Sequence, residues 1–175
     1  MTQWQRITWQ LFHTLSLNYN DNYKEQYIVF FDSLKVIIPC GICRNHYIEN
    51  INKENMHIED NINGDRIFNW TIDLHNSVNK MHRKKIWSYS EARAYYERNN
   101  FSNILLKFFI FEYIRANFRK NYEKTNALLR MINILPYLYP HEEKRNKLID
   151  FREKFELNRD NIRKWLLAFL IILKS

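Results

Sequence analysis

Two cysteines, Cys40 and Cys43, are the only thiols in a chain of 175 residues, with Gly41 and Ile42 between them. A separation of three residues allows the two sulfurs to close a disulfide within one helical turn, so the pair can act as a reversible dithiol that exchanges electrons with other thiols. Pro39 stands immediately before the pair. Proline stops a preceding helix and suits the first turn of a new one. The sulfurs are therefore expected at a helix N-terminus, where unsatisfied N–H groups and the positive dipole end favour a thiolate. Three other readings compete. The pair could be two buried structural cysteines. It could be a zinc site, with Cys40, Cys43 and His46 supplying three ligands and His57 a fourth, although no second CxxC closes that site. A thioredoxin-like motif would need strands around the dithiol, and the flanking patterns here are helical.

Two further constellations carry chemical side chains. In Trp9-Gln10-Leu11-Phe12-His13 the four-residue offset puts indole and imidazole on one helix face, which on its own reads as core packing. In His75-Asn76-Ser77-Val78-Asn79-Lys80, His75 shares a face with Asn79, and Asn76 with Lys80. A polar stripe on a mainly apolar helix either meets solvent or needs a polar group docked against it.

The elements that must position these residues are helices. Two glycines and three prolines are too few to turn an all-β chain, and 16% aromatic residues supply a packed interior. Apolar periodicity predicts helices over residues 4–19, a second ending at Pro39, a third over 40–51, a loop over 52–65, a fourth helix over 65–82 with Asp65 as its cap, and a short fifth opening at Ser90. Further helices are predicted over 102–121, 125–135, 142–155 and 160–173. The formal charge of +8 suits an acidic partner, whether nucleic acid, an anionic membrane or a phosphate-bearing cofactor, and charge alone does not choose among them. Nucleic acid is the less expected partner once the motifs are weighed. No secretory signal follows Met1, and the longest apolar run, residues 165–173, is too short to span a bilayer, which takes about 20 residues.

Together, Trp9-x3-His13-Thr14-Leu15, Pro39-Cys40-x2-Cys43-x2-His46 and Trp70-x4-His75-Asn76-x-Val78-Asn79 resemble, in order and spacing, the Erv/ALR FAD-linked sulfhydryl oxidases. The resemblance covers Arg6 to Arg98. The continuation through Lys84-Lys85-Ile86 and Ser90-Glu91 is similar to the branch found in large DNA viruses such as African swine fever virus. It implies an all-α fold, a four-helix bundle with a short fifth helix over residues 1–100, followed by an additional C-terminal helical layer or domain over 101–175. It further implies bound FAD and a homodimer through the early helices.

By matching positions, Cys40 and Cys43 are the catalytic pair. Trp9 and His13 belong with the flavin and ribityl region, and His75, Asn76 and Asn79 with the adenosine half; Thr14 and Val78 are also implied to bind the cofactor. Arg6, Lys80 and Lys84 would face the pyrophosphate, and Trp87 and Tyr96 the adenine. No metal is implied. The implied reaction oxidises dithiol protein substrates and passes the electrons through Cys43 and FAD to oxygen, giving hydrogen peroxide.

This chain departs from the family pattern in three ways. It has no cysteines for a shuttle pair or an inter-helix disulfide, so electrons must enter at Cys40 directly or from a cysteine-bearing partner protein. Gln5 stands where a glycine is usual before the arginine. The third departure is the segment after Phe101, whose basic residues, Arg115, Arg119, Lys120, Lys144, Arg145 and Lys147 among them, read as a solvated face. The expected compartment is the cytoplasm of an infected cell or a virion.

Overall fold

The computed structural model describes residues 3–115 and 121–174, with side chains left aside at 111–115. All regular structure among the described residues is helical: α1 (Gln3–Leu17), α2 (Lys24–Ile37), α3 (Gly41–Ile51), α4 (Ile58–Asn61), α5 (Arg66–Met81), α6 (Tyr89–Tyr96), α7 (Phe101–Arg115), α8 (Tyr122–Ile134), α9 (Glu142–Lys154) and α10 (Ile162–Lys174). Four of these, α1, α2, α3 and α5, form the bundle, and α6 is the short fifth helix. The expected loop over 52–65 contains the single-turn α4. The helix predicted to reach residue 121 is described to Arg115, so Arg119 and Lys120 lie outside the described residues, as does the side chain of Arg115.

Local chemistry explains where the helices begin. Ile38 leaves the helical region (φ −54, ψ 117) ahead of Pro39, and Cys40 becomes the N-cap of α3 with extended backbone angles. Pro39 thus lies just outside α3 rather than in its first turn. The Arg44 guanidinium donates to the Ile38 carbonyl at 2.9 Å and ties the start of α3 to the end of α2. Helix α6 is capped by Ser88, not Ser90, because Glu91 lies three residues after Ser88 and the two close a reciprocal capping box. Asp65 precedes α5 without a side-chain cap bond, since its carboxylate pairs with Arg93 at 2.8 Å.

The centre of the bundle is aromatic. Phe12, Phe30, Phe31 and Trp70 meet edge to face, with ring centroids 4.9–5.9 Å apart. Burying each such ring contributes on the order of 1.5–3 kcal/mol. Trp70 adds a hydrogen bond from its indole N–H to the Met56 carbonyl at 2.9 Å, and Tyr47 donates from α3 to the Phe31 carbonyl at 2.8 Å.

The core continues without a break past residue 100. Leu105, Phe108, Phe109, Leu128, Met131 and Phe169 are fully buried in the same cluster as Leu11, Leu15 and Phe30. Helix α7 lies along α1, and α8 along α2. This chain's own C-terminal helices therefore cover part of the early helices, on which a homodimer is expected.

Candidate active site

Cys40 and Cys43 are joined as a disulfide, with Cα atoms 5.2 Å apart. The Cys43 backbone N–H donates to Cys40 Sγ at 3.2 Å, the arrangement that would also hold a Cys40 thiolate once the pair is reduced. Both sulfurs border a slot of about 280 Å3 between α1, α3 and α5, whose walls include Trp4, Trp9, Phe12, Tyr47, Leu74 and Val78. It lies near the lower end of the size range of small-molecule sites, about 300–1,000 Å3. His46 also lines it. Ile42, between the cysteines, is 70% exposed and stands at the outer edge of the pair.

Behind Trp9 runs a stack of rings. The indole lies 4.2 Å from the His75 ring and only 4° from parallel with it, His75 is 5.1 Å from His13, and His13 is 4.4 Å from Tyr96. The two imidazoles share a hydrogen bond of 2.9 Å between His13 Nε2 and His75 Nδ1, and His13 Nδ1 lies 3.0 Å from Thr71 Oγ1. Thr71 Oγ1 also lies 2.8 Å from the Phe68 carbonyl, to which it can give its proton. The tautomers are coupled through these bonds: with the Thr71 proton on that carbonyl, His13 carries its proton on Nδ1 and accepts at Nε2 from His75 Nδ1, and with the proton given to His13 Nδ1 the pattern reverses. Burial is the main reason both rings stay neutral. It holds His13 well below the usual imidazole range, helped by His75, and lowers His75 to about 4, helped by the Lys84 charge.

The two asparagines bind the loop that follows α5. Asn76 donates to the Trp87 carbonyl at 2.8 Å and accepts from the Trp87 N–H at 2.9 Å, and Asn79 donates to the Lys85 carbonyl at 3.0 Å. Their amides thereby fix Trp87 and the basic turn. Lys85 lies over the Trp87 ring at 4.7 Å. Arg6, Lys80 and Lys84 are exposed.

The residues expected at the site thus fall into four groups, of which the exposed cations Arg6, Lys80 and Lys84 are one. Cys40, Cys43, Trp9 and Val78 meet at the slot. His13, His75, Asn76, Asn79, Trp87 and Tyr96 form the framework behind and beside it. Thr14 faces away, into a separate 510 Å3 cavity between α1, α6 and the C-terminal layer, where its buried hydroxyl has no hydrogen-bond partner.

Residue reading missed three contributors. Thr71 and Ser16 extend the imidazole network, their hydroxyls 3.1 Å apart. The Gln5 amide donates to Cys43 Sγ at 3.4 Å. No signal in the sequence marked Thr71 or Ser16, and Gln5 stood out only as a departure from the family's glycine, because each contact is made across helices.

The zinc arrangement is not supported. The two sulfurs are bonded to each other, no group of three or more His, Cys, Asp or Glu among the described residues is gathered as a metal site, and His57 lines a different depression beside Tyr47 and Trp70. The donor set suits another kind of ligand. A flat-walled slot with sulfur at its edge matches a planar redox ring, and exposed cations at the end of α5 match phosphate oxygens.

Among the described residues the site is a helical bundle that carries a CxxC disulfide at a helix start against an aromatic slot, with no strand beside it. The chain belongs to the Erv1/Alr family, which it matches over residues 6–98. It is 36% identical over 94 residues to a probable FAD-linked sulfhydryl oxidase of Acanthamoeba polyphaga mimivirus, an alignment that covers 51% of this chain and 66% of the relative, just under two thirds. To the FAD-linked sulfhydryl oxidase of African swine fever virus (isolate Pig/Kenya/KEN-50/1950) it is 32% identical over 103 residues, 57% of this chain and 84% of the relative. No solved structure matches the chain.

Proposed function

We propose that this chain is an FAD-dependent thiol oxidase that makes disulfides in protein substrates through Cys40 and Cys43. The observation that carries the reading is the Cys40–Cys43 disulfide opening directly onto an aromatic slot. A substrate thiolate attacks Cys40 Sγ, the bond between the two sulfurs breaks, and its electron pair leaves on Cys43. A second substrate thiolate then attacks the substrate sulfur of the mixed disulfide, releasing the product disulfide and leaving Cys40 and Cys43 reduced. The chemistry supplied by bound FAD is acceptance of that electron pair and its transfer to dioxygen, giving hydrogen peroxide.

The protein's own side chains do the positioning. Trp9 walls the slot, the neutral, hydrogen-bonded His13–His75 pair stands behind it, and Asn76 and Asn79 hold the loop that presents Lys84 and Trp87. Arg6, Lys80 and Lys84 are proposed to meet the pyrophosphate, and Tyr96 with Trp87 the adenine. Thr14 is the expected binding residue with the least support, because its hydroxyl faces the other cavity.

Residues 1–100 are proposed as the oxidase unit and 101–175 as a layer packed upon it. A homodimer through the early helices is part of the proposal, on the portions of α1 and α2 that α7 and α8 leave exposed. The substrates are dithiol proteins, reached directly or through a cysteine-bearing shuttle protein. The compartment proposed is the cytoplasm of an infected cell or a virion; among the described residues no helix is long and apolar enough to cross a membrane.

The test is direct. Purified protein should show a flavin absorption band and consume oxygen with a dithiol, and Cys40→Ser or Cys43→Ser should abolish the consumption. Colourless protein that takes up no FAD overturns the reading.

A further inference from the structure

Gln5 and Trp9 are four residues apart on α1, so both side chains face the slot, and Gln5 reaches furthest toward the sulfur. Its Nε2 lies 3.4 Å from Cys43 Sγ. A sulfur in a disulfide has no hydrogen to give and can only accept, so the amide must present its N–H2 end. Cys43 Sγ is also the atom on which the electron pair lands when a substrate thiolate attacks Cys40. The same N–H therefore points at a neutral, weakly accepting sulfur before the exchange and at a thiolate after it. Hydrogen bonds to charged acceptors are roughly twice as strong as those to neutral ones. A donor placed this way binds the product of the step more tightly than its starting state, which is the condition for assisting it.

We propose that Gln5 is a catalytic residue of the thiol–disulfide exchange, donating a hydrogen bond that stabilises the Cys43 thiolate and makes the Cys40/Cys43 disulfide a stronger oxidant. The proposal rests on the oxidase reading. Its electron balance is that of the exchange itself: one sulfur–sulfur bond breaks, one forms between Cys40 and the substrate, and the pair displaced onto Cys43 is what Gln5 stabilises. Because the reduced form gains more than the oxidised form, the donor raises the reduction potential of the pair.

The experiment measures that potential in the purified full-length protein by equilibration with reduced and oxidised glutathione, followed by alkylation and mass analysis. The wild type is compared with Gln5→Met, which keeps the reach but has no donor, and with Gln5→Lys, which keeps a donor. Loss of the donor should favour the disulfide about tenfold, a shift of about 30 mV to more negative potential for a two-electron couple. Gln5→Lys should stay at or above the wild-type value. The Cys43 thiol, followed by thiolate absorbance in a Cys40→Ser background, should titrate at higher pH in Gln5→Met. Equal potentials within twofold in all three proteins overturn the proposal, as does a shift in the same direction for Met and Lys, which would mark a packing role. If either result comes with flavin bound and oxygen consumed, the role of Gln5 falls and the oxidase reading stands. If the protein binds no flavin, both fall.

Discussion

Acid should destabilise this protein through two imidazoles. His13 is fully buried, His75 is 6% exposed, and both are held neutral below the usual imidazole range. In the unfolded chain each takes up a proton near pH 6.5. As pH falls below that point, the unfolded state binds protons that the folded state refuses, so stability declines with falling pH and levels off only below the folded values. For His75 the window runs from 6.5 down to about 4. At about 1.4 kcal/mol per unit, that window corresponds to a loss of about 3 kcal/mol. His13 acts in the same direction, although the shared hydrogen bond keeps the two contributions from adding independently. Urea midpoints of wild type and His75→Gln, taken at equal flavin loading between about pH 7 and pH 4.5, measure the slope. The wild type should lose stability steeply, and the variant should lose about one proton's worth of that slope. A flat wild-type profile, or an unchanged slope in the variant, refutes the buried neutral pair.

Other perturbations probe separate parts of the argument. Asn76→Leu removes both bonds to the Trp87 backbone and leaves that N–H without its partner, so the protein should lose about 1–3 kcal/mol and bind FAD more weakly, read by thermal melting and flavin fluorescence titration. Ile42→Asp, at an exposed position between the sulfurs, should raise KM for a dithiol protein several-fold while turnover with a small dithiol is nearly unchanged, read by oxygen uptake. Phe109→Ala, in the C-terminal layer, should cost about 3–5 kcal/mol and lower one cooperative transition for the whole chain. A variant whose flavin signal melts at the wild-type temperature would mean that the two halves fold separately.

The dithiol at a helix start was legible in the sequence because proline, N-cap and CxxC spacing are all local. The helices of both halves were legible for the same reason, since apolar periodicity reports which face will be buried. Long-range choices were hidden. Asp65 has the sequence signature of a cap, but Arg93, 28 residues away, takes its carboxylate. Ser90 looked like the start of α6, whereas the capping box belongs to Ser88, and only the distance to Glu91 separates the two. The polar stripe on α5 reads in the sequence as needing either solvent or a docked polar group. It finds many of its polar partners within the chain, His75 in His13, Asn76 and Asn79 in the loop backbone.

The same comparison gives the C-terminal layer a physical role. Helix α1 is apolar or aromatic on two sides, and such a helix is stable only when both are covered. Gln5, Trp9 and Phe12 face the slot, while Ile7, Leu11 and Thr14, at three- and four-residue spacing, share the opposite side. Helix α7 lies along α1 within the same chain and shares a continuous core with it, beside the cavity that Thr14 faces. The buried Ile7 and Leu11 anchor α1 in that core and limit how far its side chains shift. An exchange step that depends on a sulfur, an amide and an indole meeting within a few tenths of an ångström needs that rigidity. The layer after Phe101 is thus packed against the helix that carries Gln5 and Trp9, on the side away from the sulfurs.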